Sequence, residues 1–463
     1  MSKTKRDSFT GSVGFVLAAA GSAVGLGNIW RFPYLAAKDN GGLFILCYII
    51  LAVSFGFALL TTEIAIGRKT KQSPLTAYGK IHKKFNWLGK IATLVPVLIQ
   101  PYYCVIGGWV CKYLTAFITG DGVNAAADGY FTDYISQMSE PIIWLLVFLA
   151  ATAAVVICGV NKGIEKLSRV LMPVLVLLVV GISIYSLTLS HTDADGVTRT
   201  GLDGVKVYLI PNFEGLTLKT LFITIMDAMG QLFFSISVAM GIMVAYGSYV
   251  DDKTNLMKSI NQIEIFDTAI ALLAGLMIVP AVYVFMGTEG MSAGPGLMFI
   301  SLPKVFAQMG SFGRVIGILF FVMVVFAAVT SSISVMEAIV SSIVDRYGLT
   351  RLKSSVIVVV YTVVVGIIVC LGYNKLYFEY SLPNGTTAQI LDILDYISNS
   401  ILMPFVALVT CIFIGWVTKP KTIIEEITKN GERFSRKGLY VSMIKFIAPA
   451  LLFILLLQAL GVV

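Results

Sequence analysis

The stretch GSAVGLGN, residues 21–28, interrupts the first long apolar segment of the chain, which extends over residues 12–37. A second interruption, SISVAMG at residues 235–241, lies within the apolar segment 219–250. Glycine destabilises a helix, and unwound backbone at membrane depth is tolerated only where it lines a cavity. Paired interruptions of this kind indicate a binding site near the bilayer midplane. The alternative is a pair of small-residue faces for close helix packing, but polar residues flank both stretches and favour two broken helices.

The composition is that of an integral membrane protein. Of the 463 residues, 57% are hydrophobic and only 13% are charged, whereas a soluble domain has ~25% charged residues. Several runs of 17 or more residues carry no charge, including 142–158, 170–189 and 446–463. Each of these runs is about long enough to cross the bilayer core.

The apolar segments predict an all-α membrane protein of about eleven transmembrane helices. Their approximate spans are 12–37, 42–68, 89–119, 141–159, 165–189, 219–250, 262–286, 313–346, 354–373, 388–418 and 440–461. Helices 1–5 (residues 12–189) and helices 6–10 (residues 219–418) are predicted to form two repeats, inverted because five is an odd number. Helix 11 (residues 440–461) lies outside the repeats, and residues 1–463 form a single transmembrane domain. Within the loop 287–312, we expect a short re-entrant helical hairpin.

The basic residues give the orientation. The net charge is +8, and most Lys and Arg residues fall in alternate loops, which are then the cytoplasmic ones. The N-terminus is therefore predicted to be cytoplasmic and the C-terminus extracellular, in the plasma membrane. The basic residues form no groove-sized patch for nucleic acid. His82 and His191 fall in loops on opposite faces, without a nucleophile or metal cluster, so the sequence does not indicate an enzyme. It gives no indication of the oligomeric state.

The motif GLGNIWRFP, residues 25–33, closely resembles the helix 1 signature of the neurotransmitter:sodium symporter family. Further matching motifs follow in the same order: Asn40-Gly41-Gly42, Glu63 with Gly67-Arg68, Pro101-Tyr102-Tyr103, Gly230 to Ser235, and Thr330-Ser331-Ser332. The resemblance covers helices 1 to 10 and is strongest to bacterial members that carry hydrophobic amino acids. It implies a sodium-driven symporter that imports aliphatic and aromatic amino acids by alternating access.

The resemblance implies two co-transported sodium ions, held partly by carbonyl oxygens of unwound backbone. The first would be bound by Ala23, Asn28, Ser235 and Asp267, together with the substrate carboxylate. The second would be bound by Gly21, Val24, Ala327, Thr330 and Ser331. From the residues alone, the alternative for Thr330 and Ser331 is a hydrogen bond from each hydroxyl to the backbone of its own helix.

Asp267 departs from the animal members of the family, which have Asn at this position and a chloride ion nearby. A charge inside a membrane helix is a functional hypothesis by default, and a fixed carboxylate would balance sodium without chloride. Ala271 lacks the hydroxyl of the chloride-dependent relatives, although Tyr48, Gln231 and Ser235 still match the remainder of their anion site. We therefore expect chloride independence. The alternative is that Asp267 caps helix 7 at the inner membrane interface.

The substrate site carried over from the family contains polar atoms for the amino-acid backbone and an apolar cup for its side chain. Its residues are Ala23, Gly27, Ile99, Tyr103, Phe234, Ser235, Ser237, Met240, Ser331 and Val335. No charged residue falls in the cup, so a charged side chain would be left unpaired there. Met240 is flexible and favours a broad substrate range, whereas Ala239, where a relative has Gly, favours a smaller cup. By itself, such a cluster is more often ordinary core.

The resemblance also implies two gates and a hinge. The outer gate would be Arg31 with Asp395, above a lid of Tyr103 and Phe234. The inner gate would be Arg6 with Asp345, although a basic N-terminus just inside the membrane is expected in any case. Gly163 and Pro173 would let the inner half of helix 5 unwind, and the alternative is a static proline kink. Two other functions remain open: an ion channel of similar architecture, and a membrane sensor that binds amino acids without moving them.

Overall fold

The computed structural model describes residues 7–193, 196–213, 216–291 and 294–462. The membrane helices are Ser12–Ala23 with Leu26–Lys38 (helix 1), Gly42–Thr70 (helix 2), Lys83–Thr119 (helix 3), Glu140–Ile157 (helix 4), Val160–Leu187 (helix 5), Leu218–Ser235 with Ile242–Ser248 (helix 6), Leu256–Met286 (helix 7), Ser311–Tyr347 (helix 8), Arg351–Leu371 (helix 9), Ile390–Val417 (helix 10) and Lys437–Ala459 (helix 11). Within the described ranges, nine of these are continuous and apolar enough to cross a membrane. The prediction of about eleven helices in an all-α membrane fold is confirmed.

Helices 1 and 6 are both broken, at the places that the sequence predicts. The two parts of helix 1 meet at an angle of 60°. Helix 6 ends at Ser235 and resumes at Ile242. Each broken helix begins one of the two five-helix repeats, so the two breaks occupy corresponding positions in the chain.

The packing places both breaks inside the protein. Helix 3 packs along helix 8 and against helices 4 and 9, while the first part of helix 1 packs against helices 5, 7 and 8. The second part of helix 6 packs against helix 2. Helix 11 packs mainly on helix 10, and only 22% of its most apolar part is buried inside the protein, so most of its surface lies on the outside of the helix bundle.

The loops contain short elements, most of which the sequence analysis leaves unassigned. Short helices run over Pro74–Ile81, Tyr130–Ser136, Gly201–Leu209, Leu297–Gln308 and Lys421–Ile427. Two antiparallel hairpins pair Ser190–Thr192 with Thr198–Thr200 and Tyr380–Ser381 with Thr387–Ala388. In the loop 287–312, a single helix at Leu297–Gln308 follows a 3₁₀ turn at Thr288–Gly290, in place of the expected helical hairpin.

Candidate functional site

The break in helix 1 interrupts the helical backbone at the centre of the protein. Val24 and Gly25 have non-helical backbone angles, and the helix resumes at Leu26. Gly25 is required here by space, because a β-carbon would lie 2.9 Å from the Ser331 hydroxyl and 3.4 Å from the Tyr103 hydroxyl. The break therefore brings helix 1 into close contact with helices 3 and 8.

The break in helix 6 is stabilised by hydrogen bonds to helices 1 and 2. Ser237 and Ala239 have φ values of 53° and 61°, a left-handed conformation that is costly for residues other than glycine. The backbone N–H of Ala239 donates to Oε1 of Glu63 at 2.6 Å. The hydroxyl of Ser237 donates to the Ser22 carbonyl at 3.0 Å, so the two breaks are joined directly.

A small cavity lies between the two breaks. Its volume is about 20 Å³, enough for about one water molecule. The residues that line it are Ser22, Ala23, Gly25, Asn28, Ile99, Tyr103, Phe234, Ser237, Met240, Ile242, Ser331 and Val335. Eight of the ten residues of the expected substrate site are among them.

The other two expected substrate residues lie next to the cavity rather than on its wall. At Gly27, a β-carbon would lie 2.6 Å from the ring of Phe234, so the glycine makes room for the aromatic lid. Ser235 points its hydroxyl toward Asp267 instead. Four residues line the cavity but are absent from the expected substrate site: Ser22, Gly25, Ile242 and Asn28, the last of which is an expected sodium ligand.

Three of the four residues expected around the first sodium ion are connected by hydrogen bonds between their side chains. Asn28 Nδ2 donates to Ser235 Oγ and to Asp267 Oδ1, both at 3.0 Å. The Ser235 hydroxyl donates to Asp267 Oδ1 at 2.6 Å, and Tyr48 donates to Asp267 Oδ2 at 3.3 Å. The fourth expected ligand, Ala23, lies on the adjoining cavity wall.

Asp267 is a buried carboxylate whose hydrogen-bond donors are all neutral. Its side chain is 0% exposed, and no basic residue of the described chain forms an ion pair with it. It lies inside helix 7, whose N-terminus is capped by Asn255, so the helix begins earlier than predicted and Asp267 is not the cap. The buried Oδ1 of Asn28 has no hydrogen-bond partner within the described residues. A cation bound between Asn28 and Asp267 would satisfy both.

Oxygen atoms also converge at the expected second sodium site. The Ser331 hydroxyl lies 3.4 Å from the Gly21 carbonyl oxygen and 3.5 Å from that of Val24. The Thr330 hydroxyl lies 3.1 Å from the Ala327 carbonyl oxygen. It also donates to the Phe326 carbonyl at 2.9 Å, which is the backbone hydrogen bond considered as the alternative from sequence. All five expected ligands lie where helix 8 faces the break in helix 1.

A vestibule of about 450 Å³ lies above the central site and contains both residues of the expected outer gate. Arg31 and Asp395 line this cavity but form no ion pair with each other. Asp395 Oδ1 instead accepts hydrogen bonds from Tyr102 at 3.0 Å and from Asn399 at 2.6 Å. Phe234, predicted to be part of the lid, borders both the vestibule and the central cavity.

On the other side of the site, an aromatic plug closes the protein. Phe9 is 5% exposed and packs edge-on against Tyr246 and Tyr249 at centroid distances of 5.7 and 6.3 Å. Asp345 Oδ2 accepts from the Ser73 backbone N–H at 2.7 Å. Its expected gate partner, Arg6, lies outside the described residues.

The structure adds a buried charged network that the sequence analysis does not include. Glu337, on helix 8, forms an ion pair with Arg351 and accepts a hydrogen bond from Tyr249 at 2.6 Å. Glu337 is 0% exposed. The signal for it is present in the sequence, because it is an acidic residue within the apolar helix of residues 313–346.

The expected hinge of helix 5 has an irregular beginning. Val160–Glu165 forms a π-helical turn before the α-helix Lys166–Leu187. A β-carbon at Gly163 would lie 2.1 Å from the Val155 carbonyl oxygen, so only glycine fits against helix 4 here. Pro173 lies inside the helix.

Comparisons with known proteins agree with this architecture. The profile of the sodium:neurotransmitter symporter family matches residues 6–132 and 127–463. An uncharacterized sodium-dependent transporter of Bacillus subtilis is 35% identical over 100% of this chain and 99% of its own length. A sodium- and chloride-dependent GABA transporter 2 of Rattus norvegicus is 28% identical over 74% of this chain and 62% of its own length.

A solved structure has the same fold over nearly the whole chain. The crystal structure of MhsT in complex with L-phenylalanine superposes with a TM-score of 0.85 at 31% identity, covering 98% of this chain and 100% of that one. These relatives are transporters rather than enzymes. The chain therefore belongs to the sodium:neurotransmitter symporter family and is a multi-pass, sodium-dependent membrane symporter.

Proposed function

We propose that this symporter imports hydrophobic L-amino acids, aliphatic and aromatic, together with two sodium ions and without chloride. The observation that carries the proposal is the cavity between the two helix breaks. It is lined by polar backbone and hydroxyl groups on one side and by Ile99, Phe234, Met240 and Val335 on the other. An amino acid needs both kinds of surface, one for its charged backbone and one for an apolar side chain.

The substrate carboxylate would bind near the first sodium ion and the Tyr103 hydroxyl. That hydroxyl is buried without a hydrogen-bond partner within the described residues, a costly state that a ligand would relieve. The half-helix that begins at Leu26 directs its N-terminus toward the break, where its dipole favours an anion. The ammonium group would bind carbonyl oxygens near Ala23 and Phe234.

The proposal of a hydrophobic substrate rests on the absence of charge from the described wall of the cavity. A Lys or Asp side chain entering this cup would lose its water without gaining a partner, at a cost of several kcal/mol. The L-phenylalanine bound to MhsT is a hydrophobic amino acid, and the two chains share their fold. Met240 would adapt to side chains of different shapes.

Chloride independence is proposed from the chemistry around Asp267. In this position a carboxylate supplies the negative charge next to the first sodium ion, in reach of Tyr48 and Ser235. A chloride ion at the same place would be repelled by that carboxylate. The GABA transporter similar to this chain is described as chloride-dependent, so this proposal separates the chain from that relative.

The transport cycle we propose is alternating access. Sodium and substrate bind from the vestibule, and the outer gate of Arg31 and Asp395 closes over Phe234. The inner side then opens by release of the Phe9 plug and unwinding of helix 5, with Arg6 and Asp345 as the inner gate. Loss of the second sodium ion allows substrate release, and because each ligand favours the state that binds the other, their transport is coupled.

The test is uptake into proteoliposomes with sodium and chloride varied separately. Leucine, isoleucine, phenylalanine and tryptophan are expected to be taken up only with an inward sodium gradient, and replacing chloride by gluconate should leave the rate unchanged. Lysine and aspartate serve as controls, because they have the same amino and carboxylate groups but a charged side chain. Preferential uptake of a charged amino acid would contradict the substrate class, and loss of uptake in gluconate would contradict chloride independence.

A further inference from the structure

Arg436 lies at the end of the loop between helices 10 and 11 and clamps the inner half of helix 7. Its two terminal nitrogens bind the two carboxylate oxygens of Glu264, at 3.0 and 2.7 Å. It also donates to Asn261 Oδ1 at 2.6 Å. Two parallel hydrogen bonds between a guanidinium and a carboxylate fix their mutual geometry more closely than a single contact. The Arg436 and Glu264 side chains are only 26% and 9% exposed.

The same guanidinium also holds helix 2. It donates to the Val53 carbonyl oxygen at 3.0 Å and lies 3.5 Å from the centre of the Phe57 ring. Val53 belongs to the π-helical turn Ala52–Gly56, where the regular α-helical ladder of backbone hydrogen bonds is interrupted. One residue of the 10–11 loop thus joins helices 2 and 7.

These two helices are also the ones that hold Asp267. Glu264 precedes Asp267 by one turn on helix 7, and residues three apart lie on the same side of a helix. Tyr48, on helix 2, donates to Asp267 Oδ2. The contacts therefore form a closed ring: Arg436 joins the two helices at one level, and the pair of Tyr48 and Asp267 joins them at the next.

We propose that Arg436 is a positioning residue for the first sodium ion. By clamping Glu264 and helix 2 together, it fixes the distance between Tyr48 and Asp267 and so sets the affinity of the site to which Asp267 belongs. This inference rests on the proposed role of Asp267 as a sodium ligand. It also assigns the 10–11 loop a role in cation binding, although none of its residues touches the central cavity.

The test measures sodium half-saturation of uptake in wild type, R436A, R436K and E264Q. In R436A the half-saturation concentration should rise about three- to tenfold, the range for a coupled residue that touches neither ligand. The substrate KM at saturating sodium should stay unchanged. R436K keeps the charge but loses the two-pronged geometry, so it should fall between wild type and R436A. The double variant R436A/E264Q should resemble R436A alone, because residues that act as one pair are not additive.

A matched control lies in the same loop. Lys421 forms an exposed pair with Glu425, with side chains 82% and 59% exposed, so K421A should leave sodium half-saturation unchanged. A lower melting temperature of R436A with unchanged sodium half-saturation would reduce Arg436 to a structural role and overturn the inference. If R436A does not fold, R436K decides between the two outcomes. Failure of wild type to show sodium-driven uptake would contradict the proposed function instead.

Discussion

Asp267 combines three features that together indicate a cation ligand. It is fully buried, its donors are neutral side chains, and it lies beside Asn28, whose Oδ1 lacks a partner in the described part of the chain. A buried carboxylate without a compensating charge is unfavourable. The surroundings of Asp267 therefore favour the binding of a cation, which would compensate its negative charge.

We expect Asp267→Asn to raise sodium half-saturation by about tenfold or more, since a contact to a charged group contributes ~1.5–3 kcal/mol. The amide has nearly the same shape, so the folded state should be retained. Uptake at varied sodium measures the effect. Asp203→Asn is the matched control, because Asp203 lies in the short helix Gly201–Leu209, outside the membrane helices, and pairs with the exposed Lys206. Equal sodium half-saturation in D267N and wild type would show that the negative charge of Asp267 does not contribute to sodium binding.

Ala239 carries a local strain at the helix 6 break. Its φ of 61° suits glycine, yet its N–H must hold Glu63 at 2.6 Å. Ala239→Gly removes the cost of the left-handed conformation but also gives the unfolded chain more conformational freedom. We therefore expect a net stabilisation of the protein of up to ~1 kcal/mol. Thermal unfolding in detergent measures this.

The comparison variant is Ala150→Gly, an exposed position in the regular helix 4, which should cost ~1 kcal/mol. If both variants destabilise the protein equally, the strain at Ala239 is not significant.

Helix 5, the proposed hinge, contains two irregularities in its backbone. It begins with a π-helical turn around Gly163, where the β-carbon of any other residue would collide with helix 4. Pro173 removes one backbone hydrogen bond farther along. Both irregularities lie in the half that packs against the first part of helix 1.

We expect Pro173→Ala to slow transport several-fold at saturating sodium and substrate, because the restored backbone hydrogen bond opposes unwinding. Sodium half-saturation should stay unchanged. Initial uptake rates over a sodium series separate the two quantities. Pro96→Ala, within helix 3, is the matched control and should transport at the wild-type rate. A wild-type rate in P173A would favour the static kink.

At the scale of the whole molecule, the vestibule is a wide cavity and the cavity at the centre is narrow. The vestibule has a volume of about 450 Å³, whereas the central cavity of about 20 Å³ is too small for an amino acid. For the proposed amino-acid substrate to enter this cavity, the two helix breaks must separate. Binding therefore requires a change in the arrangement of helices 1 and 6 relative to helices 3 and 8.

The shared site predicts reciprocal coupling. Saturating phenylalanine should lower the sodium dissociation constant by the same factor by which saturating sodium lowers the phenylalanine dissociation constant, as linkage requires. We expect a factor of about 5 to 150. Equilibrium binding to purified protein, with each ligand titrated at fixed levels of the other, measures both factors. Independent binding of the two ligands would contradict a common site.

The sequence by itself determined the membrane location, the order of the eleven helices and the two breaks. These follow from local properties: uncharged length specifies a span, and clustered glycine and polar residues interrupt it. Three of the eight expected substrate residues that line the cavity, Ala23, Ser237 and Met240, lie within the two interrupted stretches, and the other five lie on helices 3, 6 and 8 beside them.

The tertiary structure alone decided which atoms meet across the breaks. Ser22, Gly25 and Ile242 line the cavity because helices 1, 3, 6 and 8 pack around it. Arg436 reaches helices 2 and 7 from more than 170 residues away in sequence. Such contacts depend on how whole helices pack, and no local pattern in the chain records that packing.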